Sequence, residues 1–373
     1  MHNTSIKNAS FETQMKKNIV HIIFDLGRGG AETMLVQVLK ELDDYNNIVV
    51  TLHENNHFKD ELVCYKYICL NKRSLWWLPV SVLKFREIIK KYRPEIVHSH
   101  LPIPNYIARL ATPRKIPLIT TIHTSVSFAS DYKKWHIRFL EKLTYQFRQS
   151  IIIGVSKFAL NDYFNFLRLK PFKKYVLHTF INENIFIKKS GTNNTDDKLK
   201  LISVGSLREG KNHSFLIEAL SKINHNNVEL HIFGNGPLYN ILQADISRLS
   251  LPIILKGQVN TIYDILSDYD LFVMTSKFEG FSLSVLEAMA SKVPLLLSDI
   301  PSFKEQAEDC ATYFNLNDIN HFIKKLNYLV KHKNERIEKA EMGYKRVINN
   351  FTLGYHMTEL RNIYSGILNK ELS

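Results

Sequence analysis

Short apolar segments alternate with longer amphipathic segments along most of this chain, and this alternation limits the possible folds more than any other feature. The apolar segments have the β-branched and aromatic bias of buried strands, and the longer segments have helical periodicity. We predict strands at residues 18–24, 47–52, 96–98, 118–123, 151–155, 201–204, 229–233, 253–255, 270–275 and 295–298. Strands that alternate with helices indicate an α/β protein with doubly wound parallel sheets.

A polar, loop-forming segment at residues 188–200 divides this pattern into two runs. At 373 residues, the chain is long enough for two domains that each bury a core. We predict two Rossmann-like α/β domains that face each other across a cleft. The expected divisions are a loose tail at 1–17, a first domain at 18–187, a linker at 188–200, a second domain at 201–350, and a C-terminal helix in 351–373 that packs back on the first domain.

Positive charge is concentrated in the first half of the chain. The net charge is +13, and residues 1–187 contain 27 Lys and Arg against 15 Asp and Glu. Residues 188–373 contain 22 against 21. This asymmetry predicts an anionic partner for the first half, and nucleic acid, an acidic membrane surface or an anionic acceptor would each fit.

The sequence contains no signal for export or for a membrane span. No apolar run reaches ~18 residues, and the N-terminus lacks the apolar stretch of a signal peptide. The three cysteines, Cys64, Cys69 and Cys310, have no metal-ligand or redox spacing. We therefore expect a cytoplasmic protein.

The segment Glu279–Glu287 carries the most specific ligand signal. A predicted strand leads to a turn at Gly280, and a helix follows. Such a helix N-terminus presents N–H groups and a partial positive charge to an anion. Two flanking carboxylates would repel a bare phosphate, but they would accept hydrogen bonds from sugar hydroxyls. The segment predicts a sugar nucleotide, although Ser284–Glu287 also matches a capping box in which Glu287 would only cap the helix.

Other loops follow predicted strands at the edge where open α/β sheets bind ligands. In the loop at 205–212, Lys211 is placed to meet a diphosphate, and Arg208 is placed to assist it. The glycines at 27–30 allow a close backbone approach, but they lack the spacing of a dinucleotide site. His123 ends a strand at the same edge and is flanked by hydroxyl side chains.

Two short patterns resemble metal sites. His98 and His100 form a His-x-His pair, but no Asp, Glu or Cys at a useful spacing completes the site. Asp268 and Asp270 form an Asp-x-Asp pattern where a helix ends and a buried strand begins, which indicates a structural role. The sequence therefore predicts no metal ion and no cofactor.

Two stretches in the first half combine aromatic and basic residues, at 72–79 and 133–148. In the second stretch, five apolar side chains share one helical face with basic residues at its flanks. This pattern is typical of a helix that lies on an anionic bilayer, but an ordinary core helix with a solvated basic side would also produce it. The five residues are Trp135, Phe139, Leu140, Leu143 and Phe147.

Over about residues 18–310 the chain resembles the large retaining glycosyltransferase family 4, whose fold is called GT-B. The two-glutamate segment is the most specific part of the resemblance. The matching segments are Gly27-Arg-Gly-Gly-Ala-Glu32, Thr121-Ile-His123, Val204-Gly-Ser-Leu-Arg-Glu-Gly-Lys-Asn212, Ile232-Phe-Gly-Asn-Gly-Pro237 and Glu279-Gly-Phe-Ser-Leu-Ser-Val-Leu-Glu-Ala-Met-Ala290.

The resemblance implies roles for individual residues. Glu279 would bind hydroxyls of the donor sugar at the reaction centre, which His123 would also line. Glu287 would bind the ribose hydroxyls, and Lys211 would contact the diphosphate. Backbone N–H groups at 281–283 would hold phosphate or sugar oxygens. The remaining donor-site residues would be Gly29, Gly30, Ser206, Arg208, Gly234, Phe281, Ser282 and Leu283.

The chain departs from the family pattern at two points. The family commonly has an arginine at the position of Ser206, and we expect Arg208 to substitute for it. Near the linker, the chain reads Thr179-Phe-Ile-Asn182 where the family often has Asn-Gly-hydrophobic-Asp.

The resemblance therefore implies a retaining hexosyltransferase with no dedicated nucleophile, and the residues predict that it needs no metal ion. We expect a nucleotide-sugar donor, with UDP favoured over GDP, and a lipid-linked or polysaccharide acceptor. The basic first half would place the enzyme on the anionic inner face of the membrane. A sugar-nucleotide epimerase of the same fold is an alternative. A nucleic-acid-binding protein is disfavoured, because no nucleic-acid motif accompanies the charge.

Overall fold

The computed structural model describes residues 16–27, 29–72, 75–186, 198–223, 227–259 and 261–369. The predicted tail at 1–17 and linker at 188–200 therefore lie almost entirely outside the described residues, as does Arg28. The first strand begins at Lys17, and the first strand after the linker begins at Leu199.

The first half forms a parallel sheet of seven strands with the order β3-β2-β1-β4-β5-β6-β7. Its central strands are almost entirely buried because helices cover both faces. The strands are β1 (Lys17–Ile23), β2 (Tyr45–Thr51), β3 (Lys66–Cys69), β4 (Ile96–His100), β5 (Leu118–Ile122), β6 (Ile151–Gly154) and β7 (Lys173–Val176). The helices are α1 (Gly30–Glu41), α2 (Leu78–Tyr92), α3 (Pro102–Ala111), α4 (Ser130–Lys133), α5 (Trp135–Phe147) and α6 (Lys157–Leu167).

The second half repeats this plan with a parallel sheet of six strands in the order β10-β9-β8-β11-β12-β13. The strands are β8 (Leu199–Val204), β9 (Val228–Phe233), β10 (Ile253–Gly257), β11 (Leu271–Met274), β12 (Leu295–Ser298) and β13 (Ala311–Phe314). The helices are α7 (His213–Ser221), α8 (Tyr239–Arg248), α9 (Leu283–Ala290), α10 (Pro301–Ala307), α11 (Ile319–Lys331), α12 (Lys333–Asn350) and α13 (Leu353–Leu368).

The predicted architecture of two Rossmann-like α/β domains is confirmed. In each sheet the strand order reverses next to the first strand, between β1 and β4 and between β8 and β11. Ligands of open α/β sheets bind at such switch points, beyond the carboxyl ends of the strands. Strands β3, β7 and β13 were not predicted; the first two are short and only partly buried, so their apolar pattern is weak.

The last helix, α13, packs on the first domain rather than on the second. Its buried side chains Met357, Leu360 and Tyr364 share a core with Ile19 and Ile96 of the first sheet. The chain therefore crosses between the domains twice. The two crossings pair with each other, because the Ile181 N–H donates to the carbonyl of Phe351 and the Leu353 N–H donates to the carbonyl of Ile181, at 2.9 and 2.8 Å.

A second link joins the domains beside the cleft. Glu305 of α10 accepts hydrogen bonds from the backbone N–H groups of Lys157 and Phe158 at 2.7 and 3.0 Å. These two groups begin α6 of the other domain and have no acceptor within their own helix. Glu305 also lies 3.0 Å from Nε2 of His178. One carboxylate of the second domain thus caps a helix of the first.

Candidate active site

A cavity of about 640 Å³ lies between the two domains, where the loops after the strands of both sheets meet. The first domain contributes the start of α1 and the loop after β5, and the second contributes the loops after β8, β9 and β11. Every candidate site residue of the sequence analysis lines this cavity. They are His123, Glu279, Gly29, Gly30, Ser206, Arg208, Lys211, Gly234, Phe281, Ser282, Leu283 and Glu287.

Glu279 and Lys211 form an ion pair in this cavity. The Lys211 Nζ lies 2.6 Å from Oε1 of Glu279, and both side chains are mostly buried. The Ser276 hydroxyl donates a hydrogen bond to the same oxygen at 2.7 Å. Within the described chain no group donates to the other oxygen, Oε2. One carboxylate oxygen is therefore fixed by the protein, and the other can accept a hydrogen bond from a ligand.

The loop that carries Glu279 rests directly on the first domain. The Ser125 hydroxyl donates to the backbone carbonyl of Glu279 at 2.8 Å. A Cβ at Gly280 would lie 2.3 Å from the carbonyl oxygen of His123, so no larger residue fits without a backbone shift. The glycine that the sequence places after Glu279 therefore allows the two reaction-centre loops to touch.

The helix after this loop does not begin as the capping-box alternative requires. Helix α9 starts at Leu283 with Ser282 as its N-cap, so Ser284 already lies inside the helix. The Ser282 N–H donates to Oε1 of Gln306 at 3.0 Å, and the Gln306 side chain donates back to the Ser282 carbonyl at 2.7 Å. The predicted contact of the Ser282 N–H with a phosphate is therefore not available. The first-turn N–H groups of Leu283 and Ser284 have no acceptor in their own helix.

Gln306 lies 24 residues beyond Ser282 on another helix, and no local sequence pattern identifies it as a partner. Its side-chain amide supplies both a donor and an acceptor, so it satisfies both backbone groups of Ser282. Gln306 was therefore not predicted as a site residue.

Glu287 is partly buried on the cavity wall, one helical turn beyond the start of α9. Burial raises the pKa of its carboxyl to about 7. No described residue donates a hydrogen bond to this carboxylate. A buried acid without donors favours a ligand that supplies them, and the hydroxyls of a ribose would do so.

The loops after β8 and β9 are packed backbone to backbone. Gly234 has φ of +142°, and a Cβ there would lie 2.0 Å from the carbonyl oxygen of Gly205. This contact brings Ser206 and Arg208 to the cavity next to Lys211. No ion pair joins the Arg208 guanidinium to a described carboxylate. The part of the cavity that Ser206, Arg208 and Lys211 line is therefore cationic and accessible to an anion.

Comparison with known proteins identifies the family. Residues 28–184 match the family described as "Glycosyltransferase Family 4", and residues 184–346 match "Glycosyl transferases group 1". The two matches together extend over residues 28–346. The chain belongs to glycosyltransferase family 4. The two sheets of the glycosyltransferase therefore form a GT-B fold, as the resemblance implied.

Three relatives are named as glycosyltransferases. An N-acetylgalactosamine-N,N'-diacetylbacillosaminyl-diphospho-undecaprenol 4-alpha-N-acetylgalactosaminyltransferase of Campylobacter jejuni subsp. jejuni is 27% identical over 292 residues, which are 74% of this chain and 79% of the relative. A UDP-Gal:alpha-D-GlcNAc-diphosphoundecaprenol alpha-1,3-galactosyltransferase of Escherichia coli is 26% identical and covers 76% of this chain and 78% of its own. The O-antigen biosynthesis glycosyltransferase WclY of Escherichia coli is 23% identical over 95% of this chain and 99% of its own.

Solved structures share the fold at lower identity. Anabaena Alr3699/HepE in complex with UDP and glucose superposes with a TM-score of 0.81 at 15% identity, covering 93% of this chain and 99% of that protein. Sucrose-phosphate synthase from Thermosynechococcus elongatus gives the same TM-score of 0.81 at 16% identity, covering 95% and 100%.

Two buried histidines of β4, His98 and His100, lie next to His123, which lines the cavity of the glycosyltransferase. Its Nε2 lies 3.2 Å from Nδ1 of His100, whose ring stacks on His98 at 4.4 Å. Burial lowers the pKa of His123 to about 4, so its ring is neutral. We infer that the neighbouring imidazole fixes the orientation of His123.

The same cluster shows the surroundings of the His-x-His pattern. The structure places His21 of β1 beside His98 and His100, so that one ring nitrogen of each lies within 4.8 Å of the others. However, both nitrogens of His98 are held by hydroxyls, those of Tyr364 and Thr121, at 2.7 Å each. These contacts favour a hydrogen-bonded support over an ion site. In the Asp-x-Asp pattern, the Asp270 carboxylate accepts from the Lys200 N–H at 2.9 Å, which is a structural role.

The aromatic and basic helix α5 exposes its apolar face. Trp135 is 70% exposed, Phe139 55%, Leu143 48% and Phe147 60%. The opposite face is buried and carries Glu141, which pairs with the buried Arg109. The alternative of an ordinary core helix is wrong for these four side chains; of the predicted face, only Leu140 is partly buried. None of the described helices is both long enough and apolar enough to cross a membrane.

Proposed function

We propose that this glycosyltransferase moves a hexose from a nucleotide sugar, with UDP favoured as the nucleotide, to a lipid-linked or surface-polysaccharide acceptor. The reaction retains the anomeric configuration and takes place at the cytoplasmic face of the membrane. The observation that carries the proposal is the interdomain cavity that collects Lys211, Glu279, Glu287 and the first turn of α9.

The cavity divides into parts that suit the parts of a sugar nucleotide. Lys211 and the N–H groups that begin α9 would neutralise the diphosphate, because a cation and a helix N-terminus both favour negative charge. Glu287 would accept hydrogen bonds from the ribose, and the free oxygen of Glu279 would accept one from the sugar. Two findings support UDP: one relative is named as a UDP-Gal enzyme, and the HepE structure holds UDP.

The proposed chemistry needs no protein nucleophile. The acceptor oxygen forms the new bond to the anomeric carbon on the face from which the diphosphate leaves, and its proton passes to a departing phosphate oxygen. Glu279 holds Lys211 in place, and Ser276 holds Glu279. Because these contacts exist before the donor arrives, the charge that stabilises the leaving group is preorganised. His123, kept neutral by burial, would hold the sugar on the opposite wall. Since the protein neutralises the diphosphate, we expect full activity in EDTA.

The acceptor and the location rest on two further observations. Relatives from two organisms are named for acceptors that carry a sugar on diphospho-undecaprenol. The exposed aromatic face of α5, with Lys142 beside it, has the character of a surface that lies on an anionic bilayer. A membrane-lying enzyme would meet a lipid-linked acceptor without extracting it.

The test is transfer by the purified chain with a panel of UDP- and GDP-hexoses, lipid-diphosphate-linked sugar acceptors and EDTA. We expect an acceptor-dependent product, formed from a UDP-hexose, whose new linkage has the donor's anomeric configuration by NMR. Lys211→Ala should lower kcat/KM by about 10²–10³-fold, the loss typical of one preorganised electrostatic group. The exposed Lys222 of the same domain provides the matched control, Lys222→Ala.

Three outcomes would contradict the proposal. An epimerised nucleotide sugar that forms without any acceptor would identify an epimerase. A product of inverted configuration would exclude the retaining mechanism. If Lys211→Ala and Lys222→Ala were equally active, the assignment of the diphosphate to this cavity would be wrong.

A further inference from the structure

A second cavity, of about 310 Å³, lies on the first domain at the edge of the sheet opposite the cleft. It is formed where α2, α3 and α5 end, because helices that cross over between parallel strands run antiparallel to them. Five cationic side chains line it, and none of its lining residues is acidic. They are Arg86, Lys90, Arg109, Arg114 and Arg148, of which Arg109 is paired with the buried Glu141.

Backbone carbonyls hold two of the arginines, Arg86 and Arg148. Arg86 donates to the carbonyl of Leu110 at 2.8 Å, and Arg148 donates to the carbonyls of Gln149 and Ile116 at 2.8 and 2.9 Å. Burial, and then the charge of Arg114, lower the pKa of Arg148. Two guanidinium groups thus face a shared cavity without a carboxylate to separate them, which favours an anion between them.

Unsatisfied donors collect around the same cavity. Arg109 Nε, Thr112 Oγ1 and Arg148 Nε are buried and have no hydrogen-bond partner in the described chain, and all three residues line this cavity. A buried donor without an acceptor is costly and is uncommon in folded proteins. The charge of Arg109 is balanced by Glu141, but its Nε is not satisfied by that pair. A ligand with several acceptor oxygens would satisfy these donors.

The cavity is continuous with the exposed face of α5. Phe147 is one wall of the cavity and also the last member of the apolar stripe that begins at Trp135. A helix of 13 residues is about 20 Å long. The stripe therefore runs from the cleft side of the domain to this cationic cavity.

We propose that this cavity binds the phosphate of an anionic phospholipid headgroup when the α5 face lies on the bilayer. The proposal rests on the membrane association in the proposed function and assigns the lipid contact to named residues. A tetrahedral phosphate offers oxygens to the arginine forks and to the unsatisfied donors together. The glycerol and acyl chains would leave the cavity past Phe147.

The experiment is vesicle flotation of the full chain with three kinds of membrane. One contains phosphatidylcholine alone, one adds phosphatidylglycerol, and one adds a phosphate-free sulfolipid at the same charge density. The wild type should bind the phosphatidylglycerol vesicles most tightly. Lys90→Gln/Arg114→Gln should lower that binding by about fivefold for each cation removed. Lys324→Gln/Lys345→Gln, which removes two exposed charges from the second domain, should bind like wild type.

A second variant separates a phosphate site from general surface charge. Thr112→Val removes an unsatisfied buried hydroxyl without changing size or charge, so the protein should be as stable as wild type or slightly more stable. It should nevertheless lose the preference for phosphatidylglycerol over the sulfolipid. Inorganic phosphate at millimolar concentration should weaken vesicle binding only slightly, since it lacks the chains that bury beside α5.

The outcomes distinguish this inference from the proposed function. If the cavity variants bind like the second-domain control, or if the two anionic lipids bind equally, the headgroup site is wrong while membrane association stands. If inorganic phosphate alone stabilises the protein and abolishes vesicle binding, the cavity is a free-anion site. If no vesicle binds wild type, the membrane part of the proposed function fails and this inference fails with it.

Discussion

At the scale of single residues, the two glutamates of the most specific motif are held differently. Glu279 has an ion pair and a hydroxyl donor on one oxygen, whereas Glu287 has no donor from the described chain. The ionised carboxylate of Glu287 therefore destabilises the ligand-free protein. We expect hydrogen bonds from the ligand to offset this cost.

The cost at Glu287 should appear in the pH dependence of stability. The native pKa of about 7 lies above the ordinary value of 4.5, so the native state holds the proton more tightly than the unfolded chain. Below about pH 4.5 the Glu287 carboxyl does not lower the free energy of unfolding. Between pH 4.5 and about 7 the free energy of unfolding falls as the pH rises. Glu287→Gln should therefore match wild type near pH 4.5 in urea unfolding and should be more stable above pH 7. Unfolding curves with a pH-independent difference would contradict this, and the exposed Glu338→Gln is the control.

Local sequence patterns predict one part of the site, and packing between distant elements supplies the rest. A strand, a glycine turn and a helix start are local patterns, so the sequence placed Lys211, Glu279 and Glu287 on loops that meet in one cavity. Gln306 and His21 come from distant elements. Their contacts depend on packing between elements, which no local spacing encodes. The prediction that the Ser282 N–H binds a ligand is wrong for the same reason, because its partner Gln306 lies on a distant helix.

At the scale of elements, the active site depends on loops that approach through glycine. The loop after β11 meets the loop after β5 at Gly280, and the loop after β9 meets the loop after β8 at Gly234. At both points the backbones approach so closely that no side chain fits between the loops.

Gly280→Ala tests the interdomain contact. The added methyl group would lie 2.3 Å from the His123 carbonyl oxygen, so a backbone must move. We expect a loss of about 1–3 kcal/mol in the free energy of unfolding and a large loss of transfer activity. Gly30→Ala is the matched control for stability, because no atom lies within 4 Å of its added Cβ. Equal unfolding midpoints for the two variants would show that the loops are not in contact.

At the scale of the whole molecule, the two domains are joined at several points around the cleft. Helix α13 returns to the first domain, the two crossing segments pair at Ile181, and Glu305 caps α6 of the opposite domain. A C-terminal helix that packs on the first domain was expected, and α13 packs there. Glu305 was not predicted, because a surface acid carries no signal of the helix it caps.

The exposed face of α5 belongs to the same scale, because it orients the whole enzyme. Trp135→Ser/Phe139→Ser/Leu143→Ser should lower vesicle binding at least about tenfold while changing stability little, since these side chains are exposed. The control is Ile241→Ser/Ile254→Ser/Ile337→Ser, which changes three exposed apolar residues of the second half. Equal vesicle binding by the two triple variants would exclude α5 as the membrane surface.

The most direct test of the account is thermal stabilisation by nucleotides and nucleotide sugars, without added metal, of wild type, Glu287→Ala and the control Glu338→Ala. A ligand that binds only the native state raises the melting temperature according to its occupancy. The account predicts that UDP and one or more UDP-sugars stabilise wild type and Glu338→Ala, and that Glu287→Ala loses most of the effect. If no nucleotide stabilises wild type, or if Glu287→Ala responds as wild type does, the donor site does not lie in the cavity between the two domains.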